Sequence, residues 1–299
     1  MLEKCLMSLL AQDIPPGIIV HYVIVDNDAA ESGRPAYIKF TNLSSHWSTY
    51  ITQPKRGIAS ARNSARKYAI ESDADYLMFI DDDEQADSKW IAGLLHPDYL
   101  DTPVLFGLNI MDYADSIPAW ARPTKFKFPA EGSSKSMGAG NVRLSRSAFE
   151  PHAFNEKLEL GGGEDGELFM RFKRWEFDMR TTKRAITYET AHPARHTISG
   201  IMDRAHWISA ANMREEMIDK GRARIIAKRA PSMIFCFPVA IGQFVFGCHY
   251  FAIAFAMGKE TTRPRRHMLR AAKTLAVAAG RWDAICKRVP QSYAHTVGE

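Results

Sequence analysis

Residues 76–84 have the sequence YLMFIDDDE, in which an apolar run passes directly into four carboxylates. Five large residues rich in β-formers predict a strand buried inside a sheet. The carboxylates then lie at the carboxyl end of the strand, where open α/β sheets keep their ligand crevices. Adjacent carboxylates repel one another unless a cation or hydrogen-bond donors share the site. The stretch therefore predicts a divalent-metal and phosphate site, with a solvated acidic loop as the plainer alternative.

The composition is that of a globular protein with one large α/β domain and an appendage, or with two domains. Its 299 residues are 46% hydrophobic and 24% charged, with a net charge of +5. This mild positive charge suits an anionic substrate or a membrane surface, and we predict no nucleic-acid partner. Four scattered cysteines form no CxxC pair, and residues 1–10 lack the features of a signal peptide. A cytoplasmic catalytic part without structural disulfides or zinc is expected.

Strands and helices alternate along the first half of the chain. The patterns predict strands at residues 18–25, 49–52, 76–80 and 104–110, and helices at 2–11, 58–72, 89–95 and from about 164 to 175. This alternation predicts an α/β fold with a mostly parallel, Rossmann-like sheet flanked by helices. A Pro-, Lys- and Ser-rich stretch at 117–135 predicts a surface loop.

Three more segments place polar side chains where a strand ends or a helix begins. Asp26 ends a strand, where it could accept bonds from a pyrimidine base or a ribose, or simply form an Asx turn. Gly57 precedes a helix whose Arg62 could reach a pyrophosphate, or the segment is an ordinary solvated helix start. Glu164 and Asp165 follow three glycines at another helix start. An ionised carboxylate there can act as a general base, cap the helix, or do both.

Five segments taken together resemble the family 2 inverting glycosyltransferases, which have a GT-A fold. They are VIVDN (23–27), RGIASARN (56–63), FIDDD (79–83), GNVR (140–143) and GEDGEL (163–168). They occur in the family's order, and the resemblance covers roughly residues 1–205. Residues 188–204 are similar to the subgroup that builds bacterial exopolysaccharides, such as succinoglycan glucosyltransferases.

The resemblance implies a nucleotide pocket at the strand ends. Asp26 would contact the base and Asp81 the ribose, and the full set of pocket residues would be Asp26, Asn27, Arg62, Asn63, Asp81 and Arg195. Asp83, together with Asp81, would bind the Mn²⁺ or Mg²⁺ that bridges the diphosphate. His192 and Arg195 would lie on a loop that closes over the diphosphate.

The resemblance also implies the catalytic residues and the reaction. Asp165 would be the base that deprotonates the acceptor hydroxyl, with Glu164 beside it, while Gly140 and Asn141 would border the donor sugar and the acceptor. The donor would be a nucleotide sugar of the UDP-sugar type. The acceptor would be a glycan or a lipid-diphosphate-linked oligosaccharide in cell-surface or exopolysaccharide synthesis. One inverting displacement needs no covalent nucleophile.

The first strand of the family is missing from this sequence, which begins inside the first predicted helix. In the family fold that strand lies between the strand ending at Asp26 and the one ending at Asp81. Without it, backbone N–H and C=O groups on both neighbouring strands lose their hydrogen-bond partners. We therefore expect that the natural protein begins upstream or that this chain is catalytically impaired. A nucleotidyltransferase is a further alternative, although no Gly-rich phosphate loop follows the first predicted strand.

The composition changes near residue 230. Residues 232–258 carry no charge, whereas residues 259–299 contain nine Lys or Arg and three Asp or Glu. The apolar segment is long enough to span a bilayer, but both of its flanks are basic, which favours a helix lying in the interface. A soluble core helix is the alternative. We expect a GT-A domain over residues 1–205 and a helical membrane-associating region over 206–299, on the cytoplasmic face of a bacterial plasma membrane.

Overall fold

The computed structural model describes residues 1–122, 128–133, 138–158 and 163–288. The chain divides into two compact units. Unit 1 comprises Met1–Asp112, Lys127–Leu160 and Glu164–Thr190, and unit 2 comprises Tyr113–Phe126, Gly161–Gly163 and Ala191–Glu299. Parts of the loop predicted over 117–135 lie outside the described residues.

Unit 1 is an α/β unit, as its alternating sequence pattern predicts. Its described residues form the elements α1 (Leu2–Leu9), β1 (His21–Asp26), α2 (Arg34–Leu43), β2 (Trp47–Thr52), α3 (Ile58–Glu71), β3 (Tyr76–Ile80), β4 (Glu84–Ala86), α4 (Trp90–Leu94), β5 (Val104–Asp112), β6 (Asn141–Ser145), α5 (Arg146–Phe149), α6 (Glu164–Arg174) and β7 (Met179–Thr190). Gly57 begins α3 with φ of +148°, a conformation that side chains with a Cβ avoid.

The strands form two sheets rather than one. β1 and β2 pair in parallel, and the second sheet has the order β3-β6-β5-β7-β4. Within it β5 and β7 are parallel, whereas β3–β6, β5–β6 and β4–β7 are antiparallel. The sheet is therefore mixed, which corrects the expectation of a mostly parallel one. No helix connects β5 to β6 among the residues described between them, and β6 returns antiparallel without a crossover.

β3 is less buried than its apolar sequence predicts. It lies at one edge of the five-stranded sheet, where Phe79 is buried and the other four residues are half-buried. Among the described residues, β3 pairs only with β6 and β1 only with β2. These are the two strands that the expected opening strand would separate. The expectation of a form that begins upstream stays a prediction.

Two apolar clusters cover the two faces of β5. Because successive strand residues point to opposite faces, Phe106 packs with Phe169 and Phe172 of α6, while Leu105 faces the other way. Leu105 belongs to a cluster that also contains Phe40 of α2 and buries residues of α1 and α4. Helices therefore fix both sides of the sheet whose strand ends carry the predicted site.

Unit 2 is helical over the described part of 191–288. Its long helices are α7 (Ile198–Lys220), α8 (Arg222–Ile234), α9 (Cys236–Ala256) and α10 (Thr262–Ile285). α7 runs continuously through residue 205, so the helical region begins before the boundary expected from the sequence. Within the described residues, Arg222–Ala256 is the one helical stretch long and apolar enough to cross a membrane by length and composition.

Candidate active site

A buried arginine lies at the centre of the predicted site. Arg62, in the second turn of α3, donates from Nη1 to the Glu164 carboxylate and from Nη2 to Asp81 Oδ1 at 3.1 Å. The side chains of Arg62 and Glu164 are 8% and 5% exposed, whereas that of Asp81 is 41% exposed. The three residues come from α3, α6 and the end of β3. The structure thus joins three of the predicted segments in one ion network.

Burial and charge oppose each other in this network. Burial raises the pKa of the Glu164 carboxyl and Asp165 adds to the rise, while Arg62 lowers it. Burial works against the charge on Arg62, but Asp81, Glu164 and Asp165 together raise the pKa of its guanidinium. Arg62 therefore stays charged, and its charge lets acidic groups lie close together at the strand ends.

A tight turn at residues 138–140 separates Asp165 from Asp81. Asp165 Oδ2 accepts from the backbone N–H of Ala139 at 3.3 Å, and its Oδ1 accepts from Gly166 N–H at 2.7 Å. A Cβ on Gly140 would lie 2.6 Å from Asp81 Oδ2. The half-buried Asp165 carboxylate and the half-exposed Asp81 carboxylate thus flank a turn that needs glycine.

Glu84 adds a further carboxylate that the sequence analysis did not assign. It is buried at the start of β4, and Asn109 of β5 donates to it. Burial raises the pKa of Glu84 to about 8, and Asp81 adds to the rise, while Thr187 and Asn109 lower it. In the sequence, the feature that could have pointed to Glu84 as a site residue is its position as the fourth acidic residue of the stretch 81–84.

Asp26 and Asn27 make local hydrogen bonds at the end of β1. The Asp26 carboxylate accepts from the N–H groups of Asp28 at 2.9 Å and Gly33 at 2.8 Å, and from the Tyr50 hydroxyl. The first of these bonds is the Asx turn weighed in the sequence analysis. The nucleotide-base role of Asp26 stays a prediction.

The Asn27 side chain fixes the loop that precedes α3. Its amide donates to the carbonyls of Gln53 at 2.8 Å and Lys55 at 2.7 Å, and its Oδ1 accepts from Gly57 N–H at 2.7 Å. All three bonds end on loop backbone. Asn27 therefore shapes the start of α3, and direct contact with a nucleotide stays a prediction.

Asn63 also makes bonds within the protein. Its amide donates to the Phe154 carbonyl and to Glu156, each at 3.0 Å, and its Oδ1 accepts from Phe154 N–H at 2.9 Å. These bonds hold the segment before α6 against α3. The expected position of Asn63 in the nucleotide pocket stays a prediction.

Asn141 is buried in the sheet, and its side chain is fully engaged there. Its Oδ1 accepts from the Trp90 indole at 2.9 Å, and its amide donates to the carbonyls of Leu108 at 3.1 Å and Ala185 at 3.2 Å. The residue is 4% exposed. These bonds give the Asn141 side chain a structural role in the sheet, and the sugar contacts that the resemblance implies for Asn141 and Gly140 stay predictions.

We expect Asn141→Ala to lower the free energy of unfolding by about 2–4 kcal/mol, because the Trp90 N–H and two carbonyls lose their buried partner. Denaturant titration measures this loss. Asn42→Ala, on the exposed surface of α2, is the matched control and should change stability by less than about 0.5 kcal/mol. A loss for Asn141→Ala no larger than that of the control would contradict the structural role.

Arg195 and His192 belong to unit 2. They lie in and beside a short 3₁₀ helix at Pro193–His196, and both are exposed. That these two residues close over a diphosphate stays a prediction.

Of the three glycines before Glu164, Gly161 and Gly162 lie outside the described residues.

The donor set at the end of β3 fits a hard divalent cation. Among the described residues, no three His, Cys, Asp or Glu side chains are grouped to hold a metal on their own. Mg²⁺, however, is commonly bound by one or two carboxylates together with substrate phosphates and waters. Asp81 and Asp83 offer carboxylate oxygens at a strand end that is neither fully buried nor fully exposed. The pair therefore suits a cation that arrives with a diphosphate.

The chain is similar to several known proteins. Residues of this chain are 29% identical over 175 positions to the succinoglycan biosynthesis protein ExoM of Rhizobium meliloti (strain 1021), covering 56% of each protein. The chain thus spans about half the length of this curated relative. S. aureus TarS 1–349 is 15% identical with a TM-score of 0.49, covering 96% of this chain and 88% of that one. GalNAc-T7, solved with UDP, GalNAc and Mn²⁺, is 13% identical with a TM-score of 0.47, covering 67% and 46%.

The family is established by a broader match. The model for glycosyl transferase family 2 matches residues 1–173, which is more than half of the chain and includes β1, α3, β3, the turn at 138–140 and most of α6. The chain therefore belongs to glycosyl transferase family 2, which confirms the resemblance and the GT-A class of α/β fold predicted from its motifs.

Proposed function

We propose that this chain transfers a sugar from a nucleotide-sugar donor, of the UDP-sugar type, to an acceptor hydroxyl with inversion at the anomeric carbon. The observation that carries the proposal is the pair of carboxylates, Asp165 and Asp81, on either side of the turn at 138–140. In this proposal Asp165 receives the proton, and Asp81 lies at the strand end where a diphosphate would bind. Family membership supports the same reaction.

The reaction would be a single displacement. The acceptor oxygen attacks the anomeric carbon while Asp165 takes its proton, and the bond to the diphosphate oxygen breaks with its electron pair. Asp165 suits this role because two backbone N–H groups hold its carboxylate at the start of α6. Arg62 and Glu164 position the start of α6, from which Asp165 projects.

Asp83 and Asp81 would hold a divalent cation. When bound, Mn²⁺ or Mg²⁺ neutralises the charge that develops on the leaving diphosphate. Arg62 donates to the Asp81 oxygen Oδ1 and so fixes the orientation of that carboxylate.

Removing divalent metal should lower turnover by about 100-fold or more, because charge stabilisation by a metal contributes several kcal/mol. The measurement is nucleoside diphosphate release from a panel of donor sugars, with Mn²⁺, with Mg²⁺ and after chelation. The control is restoration of activity when metal is added back. Unchanged release after chelation would contradict the metal role. Pyrophosphate release would indicate a nucleotidyltransferase, and no release from any donor would favour a non-catalytic protein.

We place the acceptor at a membrane. The apolar helical stretch Arg222–Ala256 and the basic residues after it suit a lipid surface. The relative ExoM is, by its name, a succinoglycan biosynthesis protein, which supports an acceptor in cell-surface polysaccharide synthesis. The four free cysteines suit the reducing, cytoplasmic side of a bacterial plasma membrane.

A lipid-diphosphate-linked glycan should therefore be a better acceptor than the same glycan without its lipid. Turnover of the two acceptors in mixed micelles tests this, with donor hydrolysis as the baseline. Equal turnover would leave the glycosyltransferase proposal intact and contradict the lipid-linked acceptor.

A further inference from the structure

α9 is apolar around nearly its whole circumference, and the described part of the chain covers it on one side. Its 21 residues carry no charge, and its buried positions are Cys236, Ala240, Gly247 and Ala254, which form a single stripe at helical spacing. Away from this stripe, Phe237 is 65% exposed and Phe255 is 72% exposed. Exposed aromatic side chains along the length of a helix form an apolar surface of the kind that marks an interaction or membrane site.

The covered stripe of α9 packs against α10 in antiparallel register. The contacts that define this register are Gln243 with Thr274, Gly247 with Met268 and Phe251 with Arg265. The Thr274 hydroxyl donates to Gln243 Oε1 at 3.0 Å, and a Cβ on Gly247 would lie 2.8 Å from Met268 Cγ. α10 therefore runs directly beside the middle of α9.

α10 has a basic stripe and an apolar stripe on opposite sides. The basic stripe is Arg263, Arg266, Arg270 and Lys273, and the apolar stripe is Met268, Ala272, Leu275, Ala279 and Trp282. Within the basic stripe, Arg266 donates to the carbonyls of Ala119 and Arg122, while the other three residues are exposed. Each stripe follows spacings of three and four residues, and residues two apart, such as Arg270 and Ala272, face away from each other. Arg270 and Lys273 are exposed, and so is Trp282 at 57%.

We propose that α9 and α10 form a surface that binds flat on an anionic lipid bilayer, with α9 immersed in one leaflet parallel to the membrane plane. α10 then lies at the level of the headgroups, where the exposed Arg263, Arg270 and Lys273 meet lipid phosphates and Trp282 lies at the boundary. This inference rests on the membrane association proposed above and specifies its geometry. Charge complementarity and an uncharged helix beside a basic one are the signature of interfacial binding.

The register of the two helices argues against a span. If α9 crossed the bilayer, α10 would cross beside it, because the two pack together from Gln243 to Phe251. The basic residues Arg265, Arg270 and Lys273 would then lie near the centre of the hydrocarbon, where cations are rare and costly. Lying flat keeps these cations at the phosphates and still buries the aromatic side of α9.

Nitroxide labels on the full-length chain distinguish the two geometries. Phe237, Phe244 and Phe255 share one exposed side of α9, and each is changed singly to Cys in a background with the exposed thiols removed by Cys248→Ser and Cys286→Ser. The vesicles contain phosphatidylcholine with about one-third phosphatidylglycerol. We expect all three labels at one depth, about 5–10 Å below the headgroup boundary. A label on unit 1 at Lys67→Cys should remain in water.

The depth profile separates failure of this inference from failure of the wider proposal. A deep label at 244 with shallow labels at 237 and 255 would mean a span, which overturns the flat geometry and keeps membrane association. Labels that are shielded from both oxygen and a water-soluble nickel chelate would mean a protein contact, such as a second copy, and also overturn it. Labels in water at all three positions would overturn membrane association itself, and sugar transfer would still be measurable on its own.

A charge-reversal variant tests the basic stripe. Arg270→Glu/Lys273→Glu should weaken binding to the anionic vesicles by about tenfold or more, because each cation near an anionic surface contributes to binding. Binding to pure phosphatidylcholine should change little. The control Lys67→Glu/Lys89→Glu makes the same change in net charge on the exposed surface of unit 1. Equal losses in the two variants would show a general charge effect and overturn the role of the stripe.

Discussion

Asp165→Asn is expected to lower kcat for sugar transfer by about 10²–10⁴-fold, the usual contribution of a positioned general base. The amide cannot take the proton of the acceptor hydroxyl, but its oxygen can still accept from the backbone N–H of Ala139 or Gly166. The fold should therefore survive, and KM for the donor should change little. Steady-state release of nucleoside diphosphate, with kcat and KM resolved, measures the effect.

The control for this variant is Asp101→Asn, the same chemical change at an exposed position outside the site. Its kcat should equal that of the natural chain. A kcat for Asp165→Asn within tenfold of the control would contradict the general-base role. A raised donor KM with unchanged kcat would instead place Asp165 in donor binding.

Local patterns were sufficient to predict some elements of unit 1 and not others. α3 and β3 were predicted almost to the residue, because each has one continuous pattern after a clear break. β7, at twelve residues the longest strand, was missed because it is rich in Thr, Arg and Lys and buries Thr181 and Thr182 side by side. Its pairing with β5 shifts register between Phe106 and Leu108, which breaks the alternation that reveals a strand.

Residues that could carry chemistry were predictable from residue type, whereas contacts with distant partners were not. Carboxylates after an apolar strand, and an arginine near a helix start, indicated Asp81 and Arg62 without knowledge of the fold. The partners of Asn141 lie 33 to 51 residues away along the chain, so no local pattern could show that its amide is used up within the sheet. The edge position of β3 depends likewise on pairing with β6, more than 60 residues later.

Arg62→Met is expected to lower the free energy of unfolding by about 3–5 kcal/mol, because removing one partner of a buried ion pair leaves the other uncompensated. Glu164 is 5% exposed and its main cationic partner in the site is Arg62. Without Arg62, burial and the neighbouring Asp165 and Asp81 would raise the pKa of Glu164 further, so the folded state would bind a proton that the unfolded state releases. Stability of the variant should therefore fall as pH rises above the ordinary carboxyl range, about 4.3. Denaturant titrations at about pH 5 and pH 8 measure this loss of stability, which should be larger at pH 8.

The double variant Arg62→Met/Glu164→Gln decides whether the loss comes from the stranded carboxylate. A neutral amide at 164 removes the buried charge, so the double variant should recover much of the stability and lose the added pH dependence. Asp81 is 41% exposed and can be hydrated once Arg62 is gone. Lys67→Met, on the exposed side of the same helix, controls for loss of a positive charge and should cost less than about 0.5 kcal/mol. If the double variant is no more stable than Arg62→Met, the lost stability comes from the packing of Arg62 on the Phe154 ring instead. The ion network would then not be what holds α6 to α3.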